Sequence, residues 1–503
     1  MTGFQIVNLP RPVLLATGFA VVGVIALALQ DVVVPLGAQF WGLLKNQIDL
    51  AVYQAGARSV TNGVSLYDVK MVGDLDYTYS PFSALLFTPL AWMSFDLARP
   101  LWTAGVVVAL YLVIMLSFRS LGRPVTWPLR VIAASLVAVA MLFEPVRTTI
   151  WYGQINVFLM LVILADLTRP DGGRLKGFWT GVAAGIKLTP LIFAGYFLVQ
   201  RNWRALAGVV GGFATTVLVG FVVLPGDSWS YWTGKLFESD RVGSAQLRGN
   251  QSLRGMLANH LDTDSPPTLL WLVVVLAVLA VGFAVATYAH RHGHELLAVS
   301  IVGMTACVVS PMSWGHHWVW FIPILVIGVH LVLDVRRPRA PRLWAGAGVA
   351  ALVLLAFPWP THVPALIPDG YYTGLYVKTH ITWLNWFTVS PYLWAYLGVL
   401  VATIVGLRMV GSRETSSASS DPIIPAGVAA AVIADGGLPT GDAGSSGGED
   451  RRQAEADGDG SGPHEVEGAS GRTGHAHGMA DDLVGTDGEP VNETPDQGPP
   501  PPV

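Results

Sequence analysis

Lys187 sits inside an apolar run, in Gly185-Ile186-Lys187-Leu188-Thr189-Pro190, and a cation in such a place needs a reason to be there. Other groups capable of chemistry occupy short polar stretches between apolar runs. Asp49 lies in Gln47 to Tyr53, Tyr77 in Asp76 to Pro81, and Arg147 precedes Gly153-Gln154-Ile155-Asn156. Further along come Asn250-Gln251-Ser252-Leu253-Arg254-Gly255 and Ser310-Pro311-Met312-Ser313-Trp314-Gly315-His316-His317. Arg forks onto phosphate oxygens and Lys adds a point charge, while a carboxylate can take a proton from a hydroxyl. Adjacent histidines on a helix point about 100° apart and cannot form the i, i+4 pair of a zinc site. The single cysteine, Cys307, leaves no internal disulfide and no cysteine-based zinc site. With no glycine-rich phosphate loop and no dinucleotide fingerprint, energy must come from an ion gradient or from a substrate already activated.

The elements that position these groups are membrane helices. Of 503 residues 52% are hydrophobic and 13% charged, against about 25% charged in a soluble protein. Residues 1–410 hold 26 Lys and Arg against 17 Asp and Glu, and residues 411–503 hold 4 against 17. A basic apolar body therefore precedes an acidic polar tail, and nothing points to nucleic-acid binding. From Gly411 the chain is too poor in apolar residues to offset its conformational entropy, so a disordered cytoplasmic tail is expected there. Apolar runs at 13–36, 97–118, 130–144, 154–168, 177–200, 204–224, 267–289, 295–312, 318–334, 343–358 and 383–408 approach the roughly 20 residues that a spanning helix needs.

Lys and Arg stay in cytoplasmic loops. The basic clusters are Arg119/Arg123/Arg130, Arg169/Arg174/Lys176, Arg201/Arg204, Arg336/Arg337/Arg339/Arg342 and Arg408/Arg413. Two of them flank 177–200, so that run must go in and come back, with the turn at Lys187 and Pro190. The run 81–95 then fits a re-entrant or interfacial segment. The result is an all-α polytopic protein of about 12 spans with both termini in the cytoplasm. All the polar stretches named above fall on the extracytoplasmic face.

Asp-Leu-Ala-Val-Tyr (49–53), Tyr-Thr-Tyr-Ser-Pro-Phe (77–82), Gly-Gln-Ile-Asn (153–156), Gly-Ile-Lys-Leu-Thr-Pro (185–190), Asn-Gln-Ser-Leu-Arg-Gly (250–255) and Ser-Pro-Met-Ser-Trp-Gly-His-His (310–317) together resemble glycosyltransferase family 87. That family contains the polyprenyl-phosphate-mannose-dependent α-(1→2)-mannosyltransferases of actinobacteria, which build phosphatidylinositol mannosides and lipoarabinomannan, and related arabinofuranosyltransferases. The resemblance spans about residues 45–320. It implies a GT-C type bundle with an extracytoplasmic site, a polyprenyl-phosphate-sugar donor and a glycolipid or lipoglycan acceptor, both embedded among membrane lipids.

Such a donor leaves as a phosphate already ionised at neutral pH. One base for the acceptor hydroxyl plus cations for the phosphate would then suffice; no cofactor is indicated by the sequence, and a divalent cation stays open. The resemblance gives Asp49 the part of the catalytic aspartate; without it, helix capping is the ordinary reading of this residue. Asp74-Leu75-Asp76 is a rival pair that reads as a solvated loop. For the phosphate the candidates are Lys187, Arg147, Arg254, His316 and His317. Against them stand snorkelling for Lys187, a salt bridge to Glu144 for Arg147 and a wet surface for Arg254. The resemblance favours a donor-binding histidine without choosing between the two. Tyr53, Tyr77, Gln154, Asn156, Asn250, Gln251 and Trp314 suit sugar or acceptor hydroxyls and faces. Buried amides also join helices, however, and tryptophans also form interface belts.

A sugar transferase making an α-(1→2)-mannosyl bond by inverting single displacement accounts for these motifs. An arabinofuranosyltransferase is the nearest alternative. A transporter or flippase would use Lys187 and the outer acids as a substrate or proton path, but the sequence shows no paired inverted repeats.

Overall fold

The computed structural model describes residues 8–33, 36–37, 42–169, 173–238, 243–361, 372–373, 379 and 381–418. Among these residues the regular structure is helical apart from one antiparallel pair, β1 (Pro360–Thr361) with β2 (Tyr372–Thr373), and a single bridge between Val72 and Leu75. It opens with α1 (Pro12–Val33), α2 (Ile48–Asn62), α3 (Pro81–Leu86), α4 (Thr88–Ala91) and α5 (Phe95–Ser120). Then come α6 (Trp127–Ala140), α7 (Glu144–Tyr152), α8 (Asn156–Leu167), α9 (Phe178–Ile186), α10 (Ile192–Gln200) and α11 (Trp203–Val223). Next are α12 (Pro225–Thr233), α13 (Leu253–Leu261), α14 (Thr268–Arg291), α15 (Glu295–Val309) and α16 (Phe321–Leu333). The last helices are α17 (Arg339–Ala356), α18 (Asn385–Thr388) and α19 (Pro391–Ala418), and Thr189–Leu191 and Gly315–Trp320 form 3₁₀ turns.

Local chemistry sets these boundaries. Ser80, Ser94, Asn202 and Ser252 cap α3, α5, α11 and α13 by accepting the backbone N–H three residues on, which satisfies donors that the first turn leaves unpaired. Pro145 cannot continue a preceding helix but fits the first turn of a new one, and α7 leaves α6 at an angle of 77°.

Among the described residues seven helices are long and apolar enough to cross a membrane, eight if α6 and α7 count as one broken span. The runs expected at 154–168 and 295–312 fold as the shorter helices α8 and α15, and the run 177–200 folds as α9, a 3₁₀ turn and α10. Val222, Leu343, Leu276 and Leu218 stand outward on their helices. On a soluble protein such apolar surface would be an aggregation liability; on this multi-pass membrane protein it faces lipid. α19 runs on to Ala418, past the boundary drawn at residue 410, and the rest of the expected disordered tail lies outside the described residues.

α9 and α11 pack through glycine. A Cβ at Gly177 would strike the backbone at Ala205, one at Gly181 the backbone of Val209 and Phe213, and one at Gly185 the side chain of Thr216. Gly208 and Gly212 return the contact against Lys176 and Phe178. Small residues four apart let membrane helices approach this closely. Because position numbers rise together along both helices, α9 and α11 run parallel. The intervening α10 must therefore reverse direction, as expected from the basic residues flanking the run 177–200.

Candidate active site

The site is built where the start of α2 meets the end of α7. Gln47, just ahead of α2, adopts left-handed backbone with φ 52°, a conformation that costs a non-glycine residue about 1 kcal/mol. Hydrogen bonds hold it there: its N–H donates to Trp151 O at 2.6 Å and its Nε2 to Thr103 Oγ1 at 2.8 Å. Gly153 closes α7 with φ 74°, and a Cβ there would lie 2.7 Å from Leu50 Cβ. Only glycine lets this turn press so closely on the first turn of α2. Gln154 is thereby set beside Asp49.

Gln154 Nε2 donates to Asp49 Oδ2 at 2.6 Å. Its other amide atom, Oε1, lies 3.1 Å from the Tyr53 hydroxyl and 3.0 Å from the Tyr79 hydroxyl, and the two hydroxyls are 2.8 Å apart. Asp49 is partly buried, and withdrawal of its carboxyl from water pushes its pKa up to about 6, opposed by the Gln154 bond and by the charge of Lys187. Among the described residues nothing donates to Asp49 Oδ1.

Lys187 occupies the break between α9 and the 3₁₀ turn, in extended backbone. Its ammonium donates to Asn156 Oδ1 at 3.0 Å, to His317 Nε2 at 3.0 Å and to the Tyr79 hydroxyl at 3.4 Å. It also stands 5.4 Å from the centre of the Tyr79 ring. All three acceptors are neutral, since an ammonium can only donate and His317 Nε2 must therefore accept. The positive charge thus has no carboxylate within hydrogen-bonding distance among the described residues. A cavity of about 40 Å³ opens beside it, walled by Leu159, Met160, Ile163, Phe193, Cys307 and Trp320.

The turn carrying the two histidines is fixed by its backbone. Asn156 Nδ2 donates to His316 O at 2.9 Å. Gly315 lies against both carboxylate oxygens of Glu144, which also accepts from Tyr392 Oη at 2.5 Å and Thr148 Oγ1 at 2.9 Å. His316 is buried, with its ring edge-on to Tyr152 at 5.2 Å, and its Nε2 has no hydrogen-bond partner among the described residues.

The structure thus gathers Asp49, Tyr53, Gln154, Asn156, Lys187 and His317 into one hydrogen-bonded cluster, with His316 joined to it through its carbonyl. Other expected residues lie outside it. Asn250 spends its amide on Ala245 O, Pro311 O and Ser313 N, and Gln251 donates to Arg248 O and Val389 O. Both therefore tie loops together. Arg147 is buried and faces Gln30 Oε1 at 3.5 Å. Arg254 is half-buried on α13 with no hydrogen bond or ion pair among the described residues. Tyr77 packs its ring on Gly56 and bonds Ser83, while Trp314 covers Gly249 and stacks 6.5 Å from His316. Asp76 pairs with Lys70 at 3.0 Å, as a solvated loop would. Tyr79 is the central residue to which the sequence reading gave no role, although it stands in the Tyr-Thr-Tyr-Ser-Pro-Phe motif at 77–82.

The sequence profile of Glycosyltransferase family 87 matches residues 77–311. That segment holds Tyr79, Gln154, Asn156 and Lys187, while Asp49 lies ahead of it and the two histidines just beyond. The polyprenol-phosphate-mannose-dependent alpha-(1-2)-phosphatidylinositol mannoside mannosyltransferase of Mycolicibacterium smegmatis is 32% identical over 418 residues, covering 78% of this chain and 91% of the relative. The chain belongs to glycosyltransferase family 87. A second M. smegmatis relative, named as the corresponding phosphatidylinositol pentamannoside mannosyltransferase, is 35% identical over 354 residues, 69% of this chain and 82% of its own. An alpha-(1->3)-arabinofuranosyltransferase of Corynebacterium glutamicum is 30% identical over 350 residues, 61% of this chain and 80% of its own. This family 87 member is a membrane glycosyltransferase.

Proposed function

We propose that the enzyme transfers mannose from polyprenyl-phosphate-mannose to a mannose-bearing phosphatidylinositol or related lipoglycan, forming an α-(1→2) bond with inversion. One observation carries the reading. A carboxylate with one oxygen free of hydrogen bonds and an ammonium with no carboxylate partner lie in a single hydrogen-bonded cluster, beside an apolar cavity. The acceptor's 2-hydroxyl oxygen bonds to C1 of the mannose while its proton passes to Asp49 Oδ1. The C1–O bond to phosphate breaks, and both electrons leave with the polyprenyl phosphate. That phosphate titrates near pH 6 and needs no acid catalyst at neutral pH.

Lys187 meets the departing phosphate, with His317 orienting the ammonium. His316, whose Nε2 lacks a partner, is the imidazole assigned to a donor oxygen. The walls beside Lys187 suit the start of an isoprenoid chain. We place the site on the extracytoplasmic face because Lys176, Arg201 and Arg204 lie at the ends of α9, α10 and α11 remote from Lys187.

The test offers purified enzyme a labelled polyprenyl-phosphate-mannose and, separately, polyprenyl-phosphate-arabinose, each with a phosphatidylinositol mannoside acceptor. Mannose transfer that Asp49→Asn abolishes supports the reading. Arabinose transfer alone, or full activity in Asp49→Asn, refutes it.

A further inference from the structure

The hydrogen bonds around Gln154 run in one direction. Lys187 can only donate, so the Tyr79 hydroxyl receives its proton and must send its own elsewhere. Tyr53 and Tyr79 together hold two hydroxyl protons but share one mutual contact. At least one of those protons therefore points to Gln154 Oε1, which lies within 3.1 Å of both. The amide oxygen is thus tied to the tyrosines, and Nε2 is left for Asp49 Oδ2. Turned the other way, the amide would set Oε1 against an ionised carboxylate at 2.6 Å, two acceptors with no proton between them.

We propose that Gln154 and Tyr79 are positioning residues that join Lys187 to Asp49 in one oriented chain, Lys187 to Tyr79 to Gln154 to Asp49, which holds Oδ2 and leaves Oδ1 for the acceptor hydroxyl. The proposal rests on Asp49 being the base. It takes Gln154 out of the sugar-binding set expected from the sequence, and it gives a reason for two tyrosines in a wall that faces a carboxylate. Base orientation at Asp49 is then anchored on the same lysine that meets the anion, while Lys187 keeps its own bonds to Asn156 and His317 whatever happens at Gln154.

The groups facing Asp49 among the described residues are Tyr53 on its own helix, Tyr79 ahead of α3, Tyr152 at the end of α7, and Lys187. Of these only Lys187 carries charge at neutral pH. The Gln154 bond also stabilises the Asp49 carboxylate. Removing it must therefore raise the pH at which Asp49 becomes a competent base.

Gln154→Met keeps length and volume but loses the donor. A hydrogen bond to a charged group is worth roughly 10- to 100-fold, so kcat should fall by that factor. The donor KM should hold, and the acid limb of the kcat/KM profile should move above its wild-type position. Tyr79→Phe should lower kcat less and shift the limb the same way. A raised KM with kcat and the acid limb unmoved would show instead that Gln154 holds sugar, and unchanged kinetics would show that it does neither; both outcomes overturn the proposal. If Gln154→Met does not fold, the double variant Tyr53→Phe/Tyr79→Phe leaves the amide in place but unfixed and must show the displaced limb. Asp49→Asn run alongside separates the two claims: wild-type transfer there removes the base itself, whereas loss of transfer there with an unmoved limb in Gln154→Met removes only the chain.

Discussion

Asp49→Asn should make the enzyme inactive and more stable at once. Burial raises the carboxyl from its ordinary 3.8 to about 6, so at neutral pH the folded state holds a charge that it would rather protonate. A shift of that size corresponds to about 3 kcal/mol. Because the side chain is only partly buried, solvent screening reduces this to the order of 1–2 kcal/mol. The sign follows from proton uptake. Between about pH 4 and pH 6 the folded protein binds more protons at this site than the unfolded chain, so its stability falls as pH rises through that window and levels off above it. Asparagine mimics the protonated form and can still accept from Gln154. The variant should match wild type near pH 4, gain steadily to about pH 6, and stay ahead at pH 7 by roughly 1–4 °C in melting temperature. Transfer, lacking its base, should drop by about 10²- to 10⁴-fold. The assay is thermal unfolding in detergent across that pH range, paired with labelled-mannose transfer on the same samples. A variant that melts below wild type at pH 7, or a gap that does not change with pH, would refute the burial argument even if activity were lost.

Lys187→Gln should lower kcat/KM for the donor by roughly 10- to 100-fold while the protein still folds, checked by initial rates across donor concentration. Gly181→Val puts a side chain into the backbone of α11 at Val209 and Phe213; the yield of folded, detergent-extracted protein should collapse. Gly315→Ala presses a methyl group on the Glu144 carboxylate and should slow transfer several-fold by shifting the histidine turn. Gly348→Ala, with open space around it, should leave the rate unchanged. A chain ending at Ala418 should retain transfer, since every residue of the cluster lies between Asp49 and His317; its loss in properly inserted protein would tie residues 419–503 to the chemistry.

What was legible in the sequence was mostly charge. The basic loops on either side of 177–200 implied a run that reverses at Lys187, and the parallel packing of α9 on α11 requires that reversal. Lys187 stood out because an ion among apolar residues needs explaining, whereas Asp49 stood out only through the family resemblance, its type and place alone reading as a helix cap. The roles of the amides did not stand out, because residue type cannot say what an amide touches. Gln154 and Asn156 enter the cluster while Asn250 and Gln251 fasten loops, yet all four look alike in a polar motif. Short spans also blurred the helix count: α8, α9, α10 and α15 fall below the length at which hydropathy alone marks a crossing.

Gly153-Gln154-Ile155-Asn156, one of the six motifs on which the family resemblance rests, combines packing and chemistry in four residues. Gly153 accepts positive φ and admits the first turn of α2 at a distance that a Cβ would forbid. Gln154 then reaches Asp49, Ile155 is buried in the core, and Asn156, at the start of α8, bonds both Lys187 and the His316 backbone. Two of the four residues supply packing and two supply contacts to the ends of the proposed reaction, the base and the phosphate-binding cation. A change at Gly153 would therefore displace Gln154 from Asp49 without touching any group that takes part in the transfer. Such a variant, Gly153→Ala, should lose rate through the same displaced acid limb as Gln154→Met, because both act on one hydrogen bond.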